Sequence, residues 1–268
     1  IACMDENEYM IFGSGAAQEM HRRWFESHLG KFDVKYKNRS DEFHGLAISG
    51  PKSRDVLQKV VREEVSNKNF KFRDSKRMYV AGVPAIVNRI SFTGELGYEI
   101  YVAPHYQLKL YEELTDSGKE FNIKPFGLRA LMSMRLEKNW GAWTLDYRPD
   151  FTAKETGLDT FINWDKEFIG KKFAKDDNSK NKLTPMIVET NEIDVTYNEA
   201  VLKNDKAIGY ITSGGFAHFV NKSIAFSYLD TNELNSGKGI QVEINGDLFN
   251  CSIIKEPLYD PSGQKMRS

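Results

Sequence analysis

Glu99 and Tyr101 are the residues of this chain whose types and spacing best suit chemistry at a flat, hydrogen-bonding ligand. They close the segment Arg89 to Tyr101, Arg-Ile-Ser-Phe-Thr-Gly-Glu-Leu-Gly-Tyr-Glu-Ile-Tyr, which reads as strand, tight turn, strand. Ile90 and Phe92 alternate with Arg89, Ser91 and Thr93, and Gly94 and Gly97 supply the turn. Beyond it, Tyr98, Ile100 and Val102 point one way, and Glu99, Tyr101 and Ala103 the other. A carboxylate beside a π surface suits a heterocycle with N–H donors at its edge. From spacing alone, an ordinary hairpin with Glu99 solvated or paired with Arg89 is the more economical reading.

The elements that must position this hairpin follow from periodicity. Ile1–Met4 and Tyr9–Phe12 read as strands around an Asp5–Glu8 turn. Gly13-Ser14-Gly15 ends the second, and Ala16–Leu29 has helical spacing, with Met20, Trp24 and Phe25 on one face. Strands are expected at Phe32–Tyr36, Phe43–Ile48, Phe70–Phe72, Met78–Val83 and Ala85–Phe92. Pro51 opens a helix with Val56, Leu57, Val60 and Val61 inward. A helix from Pro104 carries Leu108, Tyr111, Leu114 and Phe121. Another, about Gly127–Trp140, turns Leu128, Leu131, Met132, Leu136 and Trp140 inward and carries Arg135, for which a surface salt bridge is the plain reading.

Residues 171–182 are polar and charged and read as a linker. Six short strands follow, separated by Gly, Asn and Asp turns, of which Asn245-Gly246-Asp247 is a strong hairpin signal. They predict a small sandwich or barrel. We therefore expect an α+β region over residues 1–175 and a β domain over 176–268. A strand without a preceding loop at Ile1 points to a fragment of a longer polypeptide.

Composition narrows the function classes. With 268 residues the chain can bury a large core. Its net charge of -1, from 37 basic and 38 acidic residues, argues against a nucleic-acid platform built on bulk charge. No run approaches the roughly 18 apolar residues of a membrane span. Cys3 and Cys251 form neither a disulfide framework nor a zinc cluster, which points to an intracellular chain, cytoplasmic or in the mitochondrial matrix of a eukaryote. The five histidines have no metal-ligand spacing, so no metal is expected. GxGxxG, GxxxxGK[ST] and GxSxG are all missing, so a dinucleotide or triphosphate cradle within this chain is not expected.

Several segments together carry a family resemblance. They are Ser49-Gly50-Pro51-Lys52-Ser53-Arg54, Ala81-Gly82-Val83-Pro84, Arg89 to Tyr101, Arg135-Leu136-Glu137-Lys138, Phe168-Ile169-Gly170, Ile208-Gly209-Tyr210-Ile211-Thr212-Ser213-Gly214 and Pro257-Leu258-Tyr259-Asp260-Pro261. In this order they resemble the aminomethyltransferase family of the glycine cleavage T-protein. The likeness is strongest to the tetrahydrofolate-binding C-terminal half of dimethylglycine and sarcosine dehydrogenases. It implies a cloverleaf of intertwined α+β folate-binding subdomains followed by a small C-terminal β-barrel.

The resemblance also implies roles. Glu99 matches the glutamate that binds the pterin, accepting from the ring amide and exocyclic amine. Phe92 matches an aromatic wall beside the pterin, and Tyr101 an aromatic neighbour. Ser14 falls where a small polar side chain or backbone meets the folate, Arg135 matches a nearby basic residue, and Trp143 an aromatic that closes the pocket. The family often has Gly after that aromatic, where Thr144 stands here. Its acidic residue lies upstream of the strand that here begins at Ile1, so no catalytic residue is assigned within the chain.

The implied activity is transfer of a one-carbon unit from a methylated amine of the glycine, sarcosine or dimethylglycine type onto tetrahydrofolate, giving 5,10-methylenetetrahydrofolate. Tetrahydrofolate is the implied cofactor, with FAD only if an upstream domain exists. A lipoyl carrier protein or a flavin domain is an implied partner; no nucleic acid or membrane is. Two alternatives stay open: a folate-dependent demethylase of a sulfonium or O-methyl substrate, and a folate-binding module without catalysis.

Overall fold

The structure is a computed structural model and describes residues 1–268 apart from 191–192 and 235–238. The chain divides into two units, Ile1–Gly127 with Ser262–Ser268, and Leu128–Pro261. The division expected at 175/176 from composition falls inside the second unit. Among the described residues no helix is long and apolar enough to cross a membrane.

In the first unit β1 (Ala2–Asp5) and β2 (Glu8–Met10) form an antiparallel pair, and α1 (Gln18–Leu29) follows. The expected face of α1 forms, but Met20 and Trp24 are exposed and none of its residues is buried. The main sheet is antiparallel, in the order β3 (His44–Ser49), β6 (Gly97–Val102), β5 (Val83–Asn88), β4 (Ser75–Val80). Helices α2 (Ser53–Val60) and α3 (Gln107–Gly118) share a core with one face of this sheet. Tyr98, Ile100 and Val102 enter that core with Val56, Leu57, Leu110 and Leu114, as the alternation along β6 requires.

Four expectations change in this unit. Arg89–Thr93 is not strand: β5 ends at Asn88. The Arg89 N–H donates to Asp74 O, and its carbonyl accepts from Arg73 N–H, so two residues oppose one in a bulge, with Arg73 at φ 75°, where the ladder ends. The hydroxyls of Ser91 and Thr93 then cap Gly94 N–H and Glu95 N–H, so β5 and β6 are joined by a broad capped loop instead of a tight turn. Phe32–Tyr36 and Phe70–Phe72 are also not strands; Phe70 is fully buried, its ring 5.7 Å from that of Tyr98. On α3 the inward row is Leu110, Leu114 and Gly118, spaced four apart, while Leu108 and Tyr111 are exposed.

The second unit opens with α4 (Leu128–Glu137), α5 (Ala153–Thr156) and α6 (Lys171–Lys175). Leu128, expected inward on α4, is exposed, whereas Leu136 is buried. A capping box of Thr152 and Glu155 starts α5. The expected linker at 171–182 holds α6 and the first residues of a strand.

The β-domain is a closed six-stranded barrel of β7 (Asn181–Val188), β8 (Ala200–Lys203), β9 (Lys206–Ala217), β10 (Lys222–Asp230), β11 (Ile240–Ile244) and β12 (Asp247–Ile253). The four-residue α7 (Thr231–Leu234) follows β10. Met186, Val201, Ile211, Leu229 and Val242 belong to one core cluster. Ile224 and Phe226 of β10 belong to another with Leu136 of α4, which explains a strand buried on both faces. Asn245 and Gly246 both take positive φ, 54° and 91°, the geometry of the expected hairpin turn.

Candidate functional site

The face of the main sheet away from the core carries Glu99 and Tyr101, both half-buried. Strand register sets their neighbours. Glu99 lies between Ala47 of β3 and Asn88 of β5, and Tyr101 between Gly45 and Ile86. The β3 neighbours are small, which leaves room above the sheet. A Cβ at Gly45 would come within 2.9 Å of the Tyr101 ring, so glycine there lets the ring lie across β3.

The Tyr101 hydroxyl donates to Glu99 Oε2 at 2.6 Å. Burial, and then the negative charge of Glu99, raises the Tyr101 pKa well above the ordinary phenol value, so the phenol stays a neutral donor. Among the described residues Glu99 Oε1 takes no hydrogen bond and can accept from a ligand. Phe12 lies 4.9 Å from the Tyr101 ring centre, so the strip that carries Ser14 runs beside β6. Ser14 itself is half-buried, and its carbonyl accepts from Ala17 N–H. Phe92 is half-buried in the loop before β6.

Arg89 is neither solvated nor paired with Glu99. It is 1% exposed and donates to Phe70 O at 2.5 Å and Ser268 O at 2.8 Å. Desolvation lowers its pKa.

The remaining predicted residues lie in the second unit. Arg135 is 1% exposed; its Nη1 donates to Asp146 Oδ2 at 2.8 Å and to Trp140 O at 3.0 Å. The salt bridge expected on the surface is therefore a buried one. Desolvation lowers the Arg135 pKa, against which the Asp146 carboxylate acts.

Asn139, at φ 55°, ends α4 in the left-handed conformation. The following turn carries Trp143, which is 63% exposed, its ring 5.4 Å from Tyr147 and nearly edge-on. Thr144 takes φ 69°, a conformation that glycine adopts without strain.

Sequence reasoning missed Asp146, Gly45 and Phe12. Gly45 had a signal, a glycine inside a strand pattern. Asp146 had none, because its hydroxyl partners Thr212 and Ser213 are 66 and 67 residues away.

A separate cleft of about 490 Å³ in the second unit is lined by Lys154, Asp159, Trp164, Phe173 and Lys175 among others, and by none of the predicted residues. Among the described residues no cluster of three His, Cys, Asp or Glu could hold a metal.

Glu99, Tyr101, Phe12 and Gly45 fit a flat heterocycle with edge donors: an acceptor oxygen, a locked phenol and an aromatic neighbour above small residues. The chain is 37% identical to human dimethylglycine dehydrogenase over 257 residues, 93% of this chain but 29% of that protein. It is 32% identical over 266 residues to an aminomethyltransferase of Thermoanaerobacter sp. (strain X514), covering 97% of this chain and 71% of that one. A crystal structure of glycine cleavage system aminomethyltransferase T from Bartonella henselae superposes with a TM-score of 0.79 at 20% identity, over 92% of this chain and 68% of that one, and so shares its fold. The expected α+β class and C-terminal barrel are both present. The GCVT N-terminal domain matches residues 1–166 and the glycine cleavage T-protein C-terminal barrel domain residues 182–260, and the chain belongs to this T-protein family.

Proposed function

We propose that the chain binds tetrahydrofolate, which receives the iminium carbon of a methylated amine already oxidised by two electrons at a flavin, giving 5,10-methylenetetrahydrofolate and releasing the demethylated amine. The observation that carries this reading is the Glu99–Tyr101 pair on the open sheet face, with Gly45 and Phe12 shaping the space around it. Tetrahydrofolate, when bound, supplies the nitrogen that accepts the one-carbon unit.

The chain's own residues bind and orient. Glu99 accepts from the N–H edge of the ring, and a charge-assisted pair of this kind is stronger and shorter than a neutral one. Tyr101 keeps the carboxylate aimed, and Phe92 and Phe12 stand as walls. Ser14 offers a small polar contact. Trp143 is the aromatic and Arg135, held by its ion pair with Asp146, the basic residue that this reading adds from the second unit. Orientation of this kind supplies up to roughly 7–11 kcal/mol in favourable intramolecular cases. Glu99 holds and does not react.

Its 37% identity to dimethylglycine dehydrogenase, against 32% to the aminomethyltransferase, supports a chain that serves as the folate half of a flavin-dependent amine dehydrogenase. Dimethylglycine or sarcosine is then the donor, and FAD and its domain lie outside this chain. A lipoyl carrier takes that place in the free-standing transferase reading. In either case we place the protein in the cytoplasm or, in a eukaryote, the mitochondrial matrix. A calorimetric titration with tetrahydrofolate tests the core shared by both: saturable one-to-one binding supports it, and no binding overturns it.

A further inference from the structure

We infer that Asp146 is a positioning residue: a buried carboxylate that clamps the turn after α4 so that Trp143 stands at a fixed angle to meet a ligand. The inference rests on the proposed role of Trp143 and deepens it. Asp146 is 0% exposed, yet four donors converge on its carboxylate. Oδ2 accepts from Arg135 Nη1 at 2.8 Å and from Ala142 N–H at 2.8 Å. Oδ1 accepts from the Thr212 hydroxyl at 2.5 Å and the Ser213 hydroxyl at 2.6 Å. The backbone is tied as well: Asp146 O accepts from the Tyr228 hydroxyl at 2.7 Å, and Asp146 N–H donates to Ala142 O at 2.9 Å. The carboxylate thus joins α4, the turn and β9.

The turn it clamps is built tightly and at a cost. Gly141 N–H donates to the Tyr147 hydroxyl at 3.1 Å, and a Cβ at Gly141 would come within 2.6 Å of the Tyr147 ring. Thr144 N–H donates to Tyr147 O at 3.0 Å. Thr144 is β-branched and held at φ 69°, an outlier for such a residue that persists only where the surroundings over-determine it. A turn held this firmly displays a Trp side chain that is 63% exposed. Rigid presentation of an exposed aromatic is what a stacking ligand needs, because the ordering cost is then met before binding.

The test is a double-mutant cycle read by tetrahydrofolate affinity. Thr212→Val and Ser213→Ala each remove one donor to Oδ1 and leave the Arg135 pair in place. Melting temperature and acrylamide quenching of Trp143, taken as the difference from Trp143→Phe, are measured alongside. The expected result is a Kd raised roughly 3- to 10-fold by each variant, with faster quenching. Thr212→Ser, which keeps the hydroxyl, restores both. In a Trp143→Ala background the same substitutions change Kd no further, because their effect runs through the indole.

Unchanged Kd in Thr212→Val and Ser213→Ala, or the same fold-change with and without Trp143, overturns the inference. If Trp143→Ala alone leaves Kd unaltered, the proposed role of Trp143 fails first and the positioning role falls with it.

Discussion

The Tyr101 hydroxyl and the Glu99 carboxylate are locked together at 2.6 Å, two residues apart on one face of β6, while the residue between them, Ile100, is fully buried on the other face. The alternation of a strand makes this pairing possible, and Gly45 on the neighbouring strand gives the Tyr101 ring its place. Tyr101→Phe keeps the ring and removes the donor. We expect it to weaken tetrahydrofolate binding by about 0.5–1.5 kcal/mol, with little change in melting temperature. Unaltered affinity would show that the lock does not aim the carboxylate.

Arg135 and Asp146 form an ion pair at 2.8 Å that is removed from solvent on both sides. Removing one partner leaves an uncompensated charge inside the protein. Arg135→Met is expected to cost about 3–5 kcal/mol, read as a fall in the urea midpoint. A stability within about 0.5 kcal/mol of the parent, the size of an ordinary surface substitution, would mean that the turn finds another partner for Asp146.

Thr144 takes positive φ without being glycine. Thr144→Gly removes the Cβ clash of the left-handed conformation, which outweighs the added freedom of the unfolded chain. A gain of roughly 0.5–1 kcal/mol is expected in the same denaturation experiment. A loss of stability would indicate that the Thr side chain holds the turn.

The two thiols differ in reach. Cys3 is exposed and Cys251 buried. Burial first, then the charge of Glu189, pushes the Cys251 thiol from 9.0 up to about 12. The folded pKa lies above the unfolded one, so this group's contribution to stability is intact below about pH 9 and is lost as pH rises through about 12. At pH 8 iodoacetamide should alkylate Cys3 alone in the native protein and both cysteines in denaturant, as counted by intact mass. Rapid native labelling of Cys251 would contradict its burial.

Local pattern carried much of the architecture. The core row Tyr98, Ile100 and Val102 and the Asn245-Gly246 turn both follow from neighbours in sequence, and the structure has them where they are expected. Long-range bonds decided the rest. Arg89–Thr93 alternates like a strand, yet the ladder ends at the bulge where Arg73 and Asp74 oppose Arg89. On α3, two nearly equivalent apolar rows compete, and packing against the sheet chooses Leu110 and Leu114 over Leu108 and Tyr111. Within the candidate site, Glu99 and Tyr101 were legible because both sit on one strand. The setting of Trp143 was not, because Asp146 takes partners from β9 and β10, far along the chain.

The most direct test of the folate reading is an anaerobic calorimetric titration of tetrahydrofolate into the parent chain and into Glu99→Gln. The substitution keeps the shape of the side chain and removes its charge. Saturable binding to the parent is predicted, with Glu99→Gln weaker by about 1.5–3 kcal/mol, or roughly 10- to 150-fold. Equal affinity in the two proteins would remove Glu99 from the site, and no saturable binding to the parent would contradict the folate reading itself.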